Sequence, residues 1–144
     1  MLTAALSVAG CTTTSAHAAP TTTSTTAPTA YAPNSPGAVV QAQLEAYNAG
    51  ELDAFMATFH PEAELFSIGN ATPRAQGRDA VRAIYADLFA RSPDLHSELM
   101  HRAILGNRVI DHERITGREG GEVLELIMVY EVEDGGIRRA WSIR

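Results

Sequence analysis

The stretch from residue 39 to residue 69 constrains the fold more than any other part of the chain. Apolar residues recur at helical spacing from Val40 to Tyr47, and the sequence Asn-Ala-Gly follows at once. Gly50 suits the position just past a helix end, where the backbone is often left-handed. A second short helix is then expected, because the pattern resumes over Leu52, Phe55, Met56 and Phe59.

A His-Pro dipeptide marks the end of the second helix, because the residue before a proline avoids the helical conformation. We therefore expect His60 at the helix end, as a capping or surface residue, and a strand over residues 63–68. Leu65 and Ser67 should share one face of that strand, since side chains alternate between the two faces.

Charge is confined to one part of the chain. All 17 acidic and all 11 basic residues lie from Glu45 onward, every basic residue is arginine, and the net charge is −6. A negatively charged chain without a basic run is not expected to bind nucleic acid. The charge-free residues before Gly37 are not expected to belong to the fold.

The start of the chain is predicted to be a leader followed by a linker. The leader is expected over residues 1–18. Residues 1–10 are apolar and small, and Val-Ala-Gly before Cys11 is similar to bacterial lipoprotein signals, which implies lipidation of Cys11. Cleavage at a small-residue site at 16–18 is an alternative, as is an ordinary cysteine in an unstructured leader. Residues 12–36, rich in Thr, Ala, Ser and Pro, are expected to be a disordered linker. These features predict an exported protein, either a cell-envelope lipoprotein or a secreted protein. Contact with a membrane is expected only through the lipid anchor.

The remainder of the chain has the pattern of one α+β domain over residues 37–144. A third helix is expected over 77–91, with an apolar stripe that includes Tyr85. Strands are expected over 95–105, 108–116, 123–132 and 137–143. Helices followed by a run of strands indicate helices packed on one face of a sheet.

The order of these elements resembles the NTF2-like superfamily, and within it the SnoaL-like and ketosteroid-isomerase-like domains. The resemblance covers residues 37–144. It implies a cone in which three N-terminal helices pack on a curved, mostly antiparallel sheet around a ligand pocket. A small, mainly apolar molecule is the ligand that such a pocket implies.

Ketosteroid isomerases use a tyrosine, a base aspartate and a protonated aspartate. The resemblance places Gln43, Ser67 and Met128 at those positions, and none of the three can carry out the corresponding proton chemistry. The chain is therefore expected to keep the pocket without the isomerase site. Ligand contacts are expected from these three residues and from aromatic residues with polar tips, namely Tyr47, Tyr85, Tyr130 and Trp141.

The strand over residues 108–116 contains the candidate catalytic residues. By resemblance to related strands, its pocket side carries Asp111 and Glu113 between Val109 and Ile115. Two buried carboxylates raise each other's pKa, as a general acid or base at neutral pH requires. Two structural alternatives stay open. The register can be reversed, or both acids can pair with arginines such as Arg102, Arg138 and Arg139.

No metal or other cofactor is expected, because no histidine spacing matches a known ligand motif. His96 and His101 should lie on opposite faces of one strand, with His112 beside one of them.

The strand over residues 123–132 is apolar on both faces, which predicts that other parts of the protein or a partner pack on both. We expect helices on one face and a second copy of the chain on the other, and so a homodimer through the sheet. Three functions stay open: a binding protein for a small apolar molecule, an isomerase-, cyclase- or dehydratase-type enzyme using Asp111 or Glu113, and an envelope protein that binds other proteins.

Overall fold

The computed structural model describes residues 30–144, which form three helices and a six-stranded sheet. The helices are α1 (Pro36–Ala49), α2 (Leu52–Ala57) and α3 (Arg78–Arg91). The strands are β1 (Phe59–Ser67), β2 (Ala75–Gln76), β3 (His96–Leu105), β4 (Arg108–Thr116), β5 (Leu124–Glu133) and β6 (Gly136–Ile143). The predicted α+β class is confirmed. The predicted leader with Cys11 and most of the predicted linker lie outside the described residues and stay predictions.

Helix α1 has defined caps at both ends. The Ser35 hydroxyl accepts a hydrogen bond from the Ala38 N–H, and Pro36 occupies the first turn, where no intrahelical N–H is lost. At the other end Gly50 has φ of +67° and donates its N–H to the last carbonyls of the helix. The prediction of a glycine stop at this position is therefore confirmed.

The predicted position of His60 at a helix end was wrong, because β1 begins earlier than the sequence suggested. The strand starts at Phe59, so His60 and Pro61 lie within it rather than at the end of a helix. The pairing of β1 with β6 is irregular between Phe59 and Glu64, and such an irregularity tolerates a proline, which has no N–H to donate.

The sheet is mixed, with the strand order β2-β1-β6-β5-β4-β3. Strand β1 runs parallel to β6, and all other neighbouring pairs are antiparallel. The expectation of three N-terminal helices was also wrong, since α3 follows β1 and β2. The reason is topological: β2 and β3 are consecutive strands at opposite edges of the sheet, and α3 connects them across its face.

The helices pack on the sheet through a group of aromatic side chains. Tyr47 of α1, Phe55 of α2 and Phe59 of β1 meet Tyr85 and Phe89 of α3, with ring centroids 4.4–6.4 Å apart. Phe55 and Phe59 are almost completely buried. Burial of each such side chain contributes about 1.5–3 kcal/mol, so this group holds all three helices to the sheet.

Gly117, at the start of the loop between β4 and β5, fixes the path of that loop. Its φ is +69°, and a Cβ at this position would lie 1.8 Å from the carbonyl oxygen of Asp94. Gly120 of the same loop has φ of +89° and open space around it. A substitution at Gly120 therefore meets only the cost of the left-handed backbone, whereas one at Gly117 meets that cost and a steric clash.

We predict that Gly117→Ala destabilises the fold more than Gly120→Ala does. The left-handed backbone alone costs about 1–2 kcal/mol for alanine, and the clash with Asp94 adds about 1–3 kcal/mol at Gly117. Urea unfolding of the two variants measures the difference. Equal losses of unfolding free energy would show that the loop moves aside without cost.

Candidate functional site

A cavity of about 500 Å³ lies between the helices and the inner face of the sheet. Its sheet wall is mainly apolar and includes Ile115, Leu124, Leu126 and Met128. Helices α1 and α3 supply the opposite wall, with Leu44, Ile84 and Leu88 among its residues. Polar and charged side chains also line the cavity, and they determine what it can do chemically.

Strand β4 has the register that places its acids inward. Val109, Asp111, Glu113 and Ile115 are buried, while the alternate residue Ile110 is exposed. The reversed register is therefore excluded. The two carboxylates share the covered face of the sheet, yet their surroundings differ completely.

Asp111 belongs to a structural ion pair and does not line the cavity. Its carboxylate accepts two hydrogen bonds from Arg102, at 2.7 Å from Nε and 2.6 Å from Nη2, and its side chain is 1% exposed. Arg102 is further held by the Gln41 side chain at 2.8 Å and lies over the ring of Tyr31. Asp111 therefore follows the structural alternative in which the acid pairs with an arginine.

Glu113 does line the cavity, and its carboxylate is held by neutral donors. The Ser97 hydroxyl donates to Oε2 at 2.8 Å and the Tyr130 hydroxyl to Oε1 at 3.1 Å. Burial raises the pKa of Glu113, and the charge of Asp111 adds to the rise, while the two hydrogen bonds and Arg102 oppose it. Of the two candidate acids, only Glu113 lines the cavity, where its carboxyl group has a raised pKa.

Sequence reasoning missed the support behind this carboxylate. The Asn48 side chain donates to the Ser97 carbonyl at 2.9 Å and accepts from the Ser97 N–H at 2.7 Å. These two bonds fix the end of α1 to β3 and orient the serine whose hydroxyl reaches Glu113. The residue that could have revealed this support is Asn48 in the Asn-Ala-Gly stop. A side-chain amide can donate to a backbone carbonyl and also accept from a backbone N–H.

All three candidate tyrosines line the cavity, as do Gln43 and Met128. Burial raises the pKa of Tyr47, Tyr85 and Tyr130, so their hydroxyls stay protonated and can donate hydrogen bonds at neutral pH. Five of the predicted contact positions are therefore brought together around one space.

Two predicted contact residues, Trp141 and Ser67, do not line the cavity. Trp141 lies on the outer face of the sheet, where its ring stacks on Phe66 with centroids 5.5 Å apart. Its neighbour Ser142 faces the cavity instead, since adjacent strand residues point to opposite sides. Ser67 pairs with Ser142 but lies outside the cavity lining.

The histidines do not form a metal centre in the part of the chain described. His101 lies opposite His112 across β3 and β4, and His112 Nε2 is 2.6 Å from a carboxylate oxygen of Glu125. Over residues 30–144, no three His, Cys, Asp or Glu side chains come together as a metal site.

Within that same range no helix has the length and apolar character needed to span a membrane.

The SnoaL-like domain family matches residues 40–140, which include both walls of the cavity. The chain belongs to the SnoaL-like domain family. No curated protein matches it.

Solved structures share the fold of this SnoaL-like domain. An uncharacterised cystatin-fold protein from Novosphingobium aromaticivorans is 25% identical, with a TM-score of 0.70 over 76% of this chain and 98% of that one. A candidate polyketide cyclase from Sinorhizobium meliloti is 20% identical, with a TM-score of 0.62 over 74% of this chain and 94% of that one. Another candidate polyketide cyclase, from Streptomyces antibioticus, is 23% identical, with a TM-score of 0.60 over 75% and 90%.

We predict that Asp111→Asn lowers the free energy of unfolding by about 3–5 kcal/mol, because Arg102 stays buried without its counter-charge. The control is the double variant Arg102→Met with Asp111→Leu, which removes both charges and should recover most of the loss. Urea denaturation measures both. An Asp111→Asn variant as stable as the wild type would contradict a structural role for this pair.

Glu113 should make the stability of the domain depend on pH. Since its pKa is raised in the folded state, its contribution is fully present below the ordinary value of 4.5 and is lost as the pH rises through the raised pKa. Glu113→Gln is expected to flatten this part of the profile, measured by urea unfolding from about pH 4 to about pH 8. Glu122→Gln, in the exposed β4–β5 loop, is the control. A Glu113→Gln profile parallel to that of the wild type would contradict the assignment.

Proposed function

We propose that the protein binds a small, mainly apolar molecule in the cavity between its helices and its sheet. The carrying observation is the cavity itself, which combines apolar walls with tyrosine, glutamine and charged side chains. Its volume of about 500 Å³ lies within the range of about 300–1,000 Å³ that is usual for ligand pockets. The proposal goes beyond membership of the SnoaL-like family, which hosts more than one function on the same scaffold.

The polar groups of the wall support a ligand that carries a hydrogen-bond acceptor. Tyr47 and Tyr85 enter from α1 and α3 as protonated hydroxyls, and Gln43 adds an amide that is 5% exposed. A carbonyl or ether oxygen is an acceptor of the kind that such donors bind. The apolar part of the ligand would pack against Leu126 and Met128.

We predict that a neutral two-ring molecule such as 2-naphthylacetamide raises the melting temperature of the protein. Ligand at a hundredfold excess over its dissociation constant stabilises the folded state by about 2.7 kcal/mol. Leu126→Trp, which fills part of the cavity, should abolish the shift. Val123→Trp, at an exposed position just before the same strand, should preserve it. If the wild type shows no shift with such probes while a pull-down recovers a defined partner, the protein-binding function is favoured instead.

A second candidate function is proton transfer to or from the ligand by Glu113. Its contact with the cavity and its raised pKa favour this role, whereas Asp111 is held by Arg102. Two structures with the same fold are candidate polyketide cyclases, which makes ketone-bearing molecules sensible first substrates. Glu113→Gln should then abolish turnover while 2-naphthylacetamide still binds. Turnover that persists in this variant would remove Glu113 from the mechanism.

The outer face of the sheet supports the proposal of a homodimer. Phe66, Trp141, Val129 and Ile110 lie side by side across four strands, and Ile110 is 38% exposed. A second copy would cover this apolar row. Sedimentation equilibrium should give a dimer that Val129→Arg dissociates, and a wild-type protein that stays monomeric at micromolar concentration would contradict it.

A further inference from the structure

Four arginines line one end of the cavity. Arg74 follows β1, Arg91 ends α3, Arg118 lies in the β4–β5 loop and Arg144 follows β6. The topology brings them together, because β1, β4 and β6 run in the same direction and their carboxyl ends lie at one end of the sheet. We call these four residues the arginine rim.

One member of the rim is already paired with neighbouring acids. Arg91 binds Asp87 at 2.6 Å and also pairs with Glu119, so these two carboxylates are occupied. Glu122 of the β4–β5 loop is exposed and does not line the cavity. Among the lining residues the remaining carboxylate is Glu113, which is held by Ser97 and Tyr130 deep in the site.

The other three rim arginines have no carboxylate partner within residues 30–144. The preceding residues cannot supply one, since every acid in the sequence lies from Glu45 onward. In a chain of net charge −6, three uncompensated guanidinium groups at one opening are a local reversal of sign. Such a reversal attracts an anion.

The charges of two rim residues reach the interior. Arg74 counteracts the effect of burial on the pKa of Tyr85, and Arg118 counteracts it on the pKa of Tyr47. Both guanidinium groups are therefore close enough to act on groups inside the cavity. Guanidinium binds carboxylate through two parallel hydrogen bonds, which fixes orientation as well as adding affinity.

We propose that the ligand is an amphipathic carboxylic acid, bound with its carboxylate at Arg74 and Arg118 and its apolar body against Leu126 and Met128. This inference rests on the proposed function and adds the chemical class of the ligand. In this orientation the neutral end of the ligand lies toward Glu113. The carboxylate of the ligand then lies away from Glu113, whose negative charge would repel it.

The test compares a matched pair of probes, 2-naphthylacetate and its neutral amide, by isothermal titration calorimetry at pH 7 with the full chain. The acid is expected to bind about tenfold more tightly than the amide, from charge-assisted hydrogen bonds at the rim. Arg74→Gln with Arg118→Gln should remove this preference, so that the acid and the amide bind the variant with similar affinity. Arg114→Gln removes the same kind of charge from an exposed position of β4 outside the cavity and should retain the preference.

The outcomes separate the two proposals. Equal binding of acid and amide would overturn the carboxylate inference and leave the proposed function standing. A preference for the acid that survives in the rim variant would also overturn it. Binding of neither probe by the wild type at millimolar concentration would contradict the proposed function and the inference with it. Binding of the amide by the rim variant shows that its cavity is intact.

Discussion

Two carboxylates on the covered face of a single strand are the constraint around which the rest of this domain is organised. Burial of a charge is costly unless the charge is paired or neutralised. At Asp111 the solution is a bidentate ion pair with Arg102, which β3 brings directly opposite. At Glu113 the solution is a set of neutral hydroxyl donors and a raised pKa. Neighbouring acids of the same kind thus acquire different roles.

The neutral hydrogen-bond donors around Glu113 come from elements that are far apart in the sequence. Ser97 donates to the carboxylate, and Asn48 fixes the backbone of Ser97 from the end of α1. Tyr130 completes the set from β5. A helix end, an edge strand and an inner strand therefore converge on one group, which stays accessible to the cavity and able to exchange a proton.

The cavity combines three environments along its length. Its walls are apolar, its interior has protonated tyrosines and one carboxylate, and its opening is the arginine rim. A ligand that satisfies all three has an apolar body, a hydrogen-bond acceptor and a negative end. The fold is shared with two candidate polyketide cyclases and with proteins of unknown function, so the class of ligand is inferred from these side chains and not from the fold.

The sequence by itself determined the three helices and five of the six strands, because these follow from short-range periodicity and from stop residues such as Gly50. The inward face of β4 was expected from resemblance, and the structure excluded the reversed register. The sequence also supplied five of the cavity residues, Gln43 and Met128 through resemblance and three tyrosines through their polar tips. The tertiary structure alone decided which acid pairs with Arg102, that Trp141 faces outward, and that arginines from four separate segments form one rim. These outcomes depend on strand order and cross-strand register, since long-range pairing brings together residues that no local pattern connects.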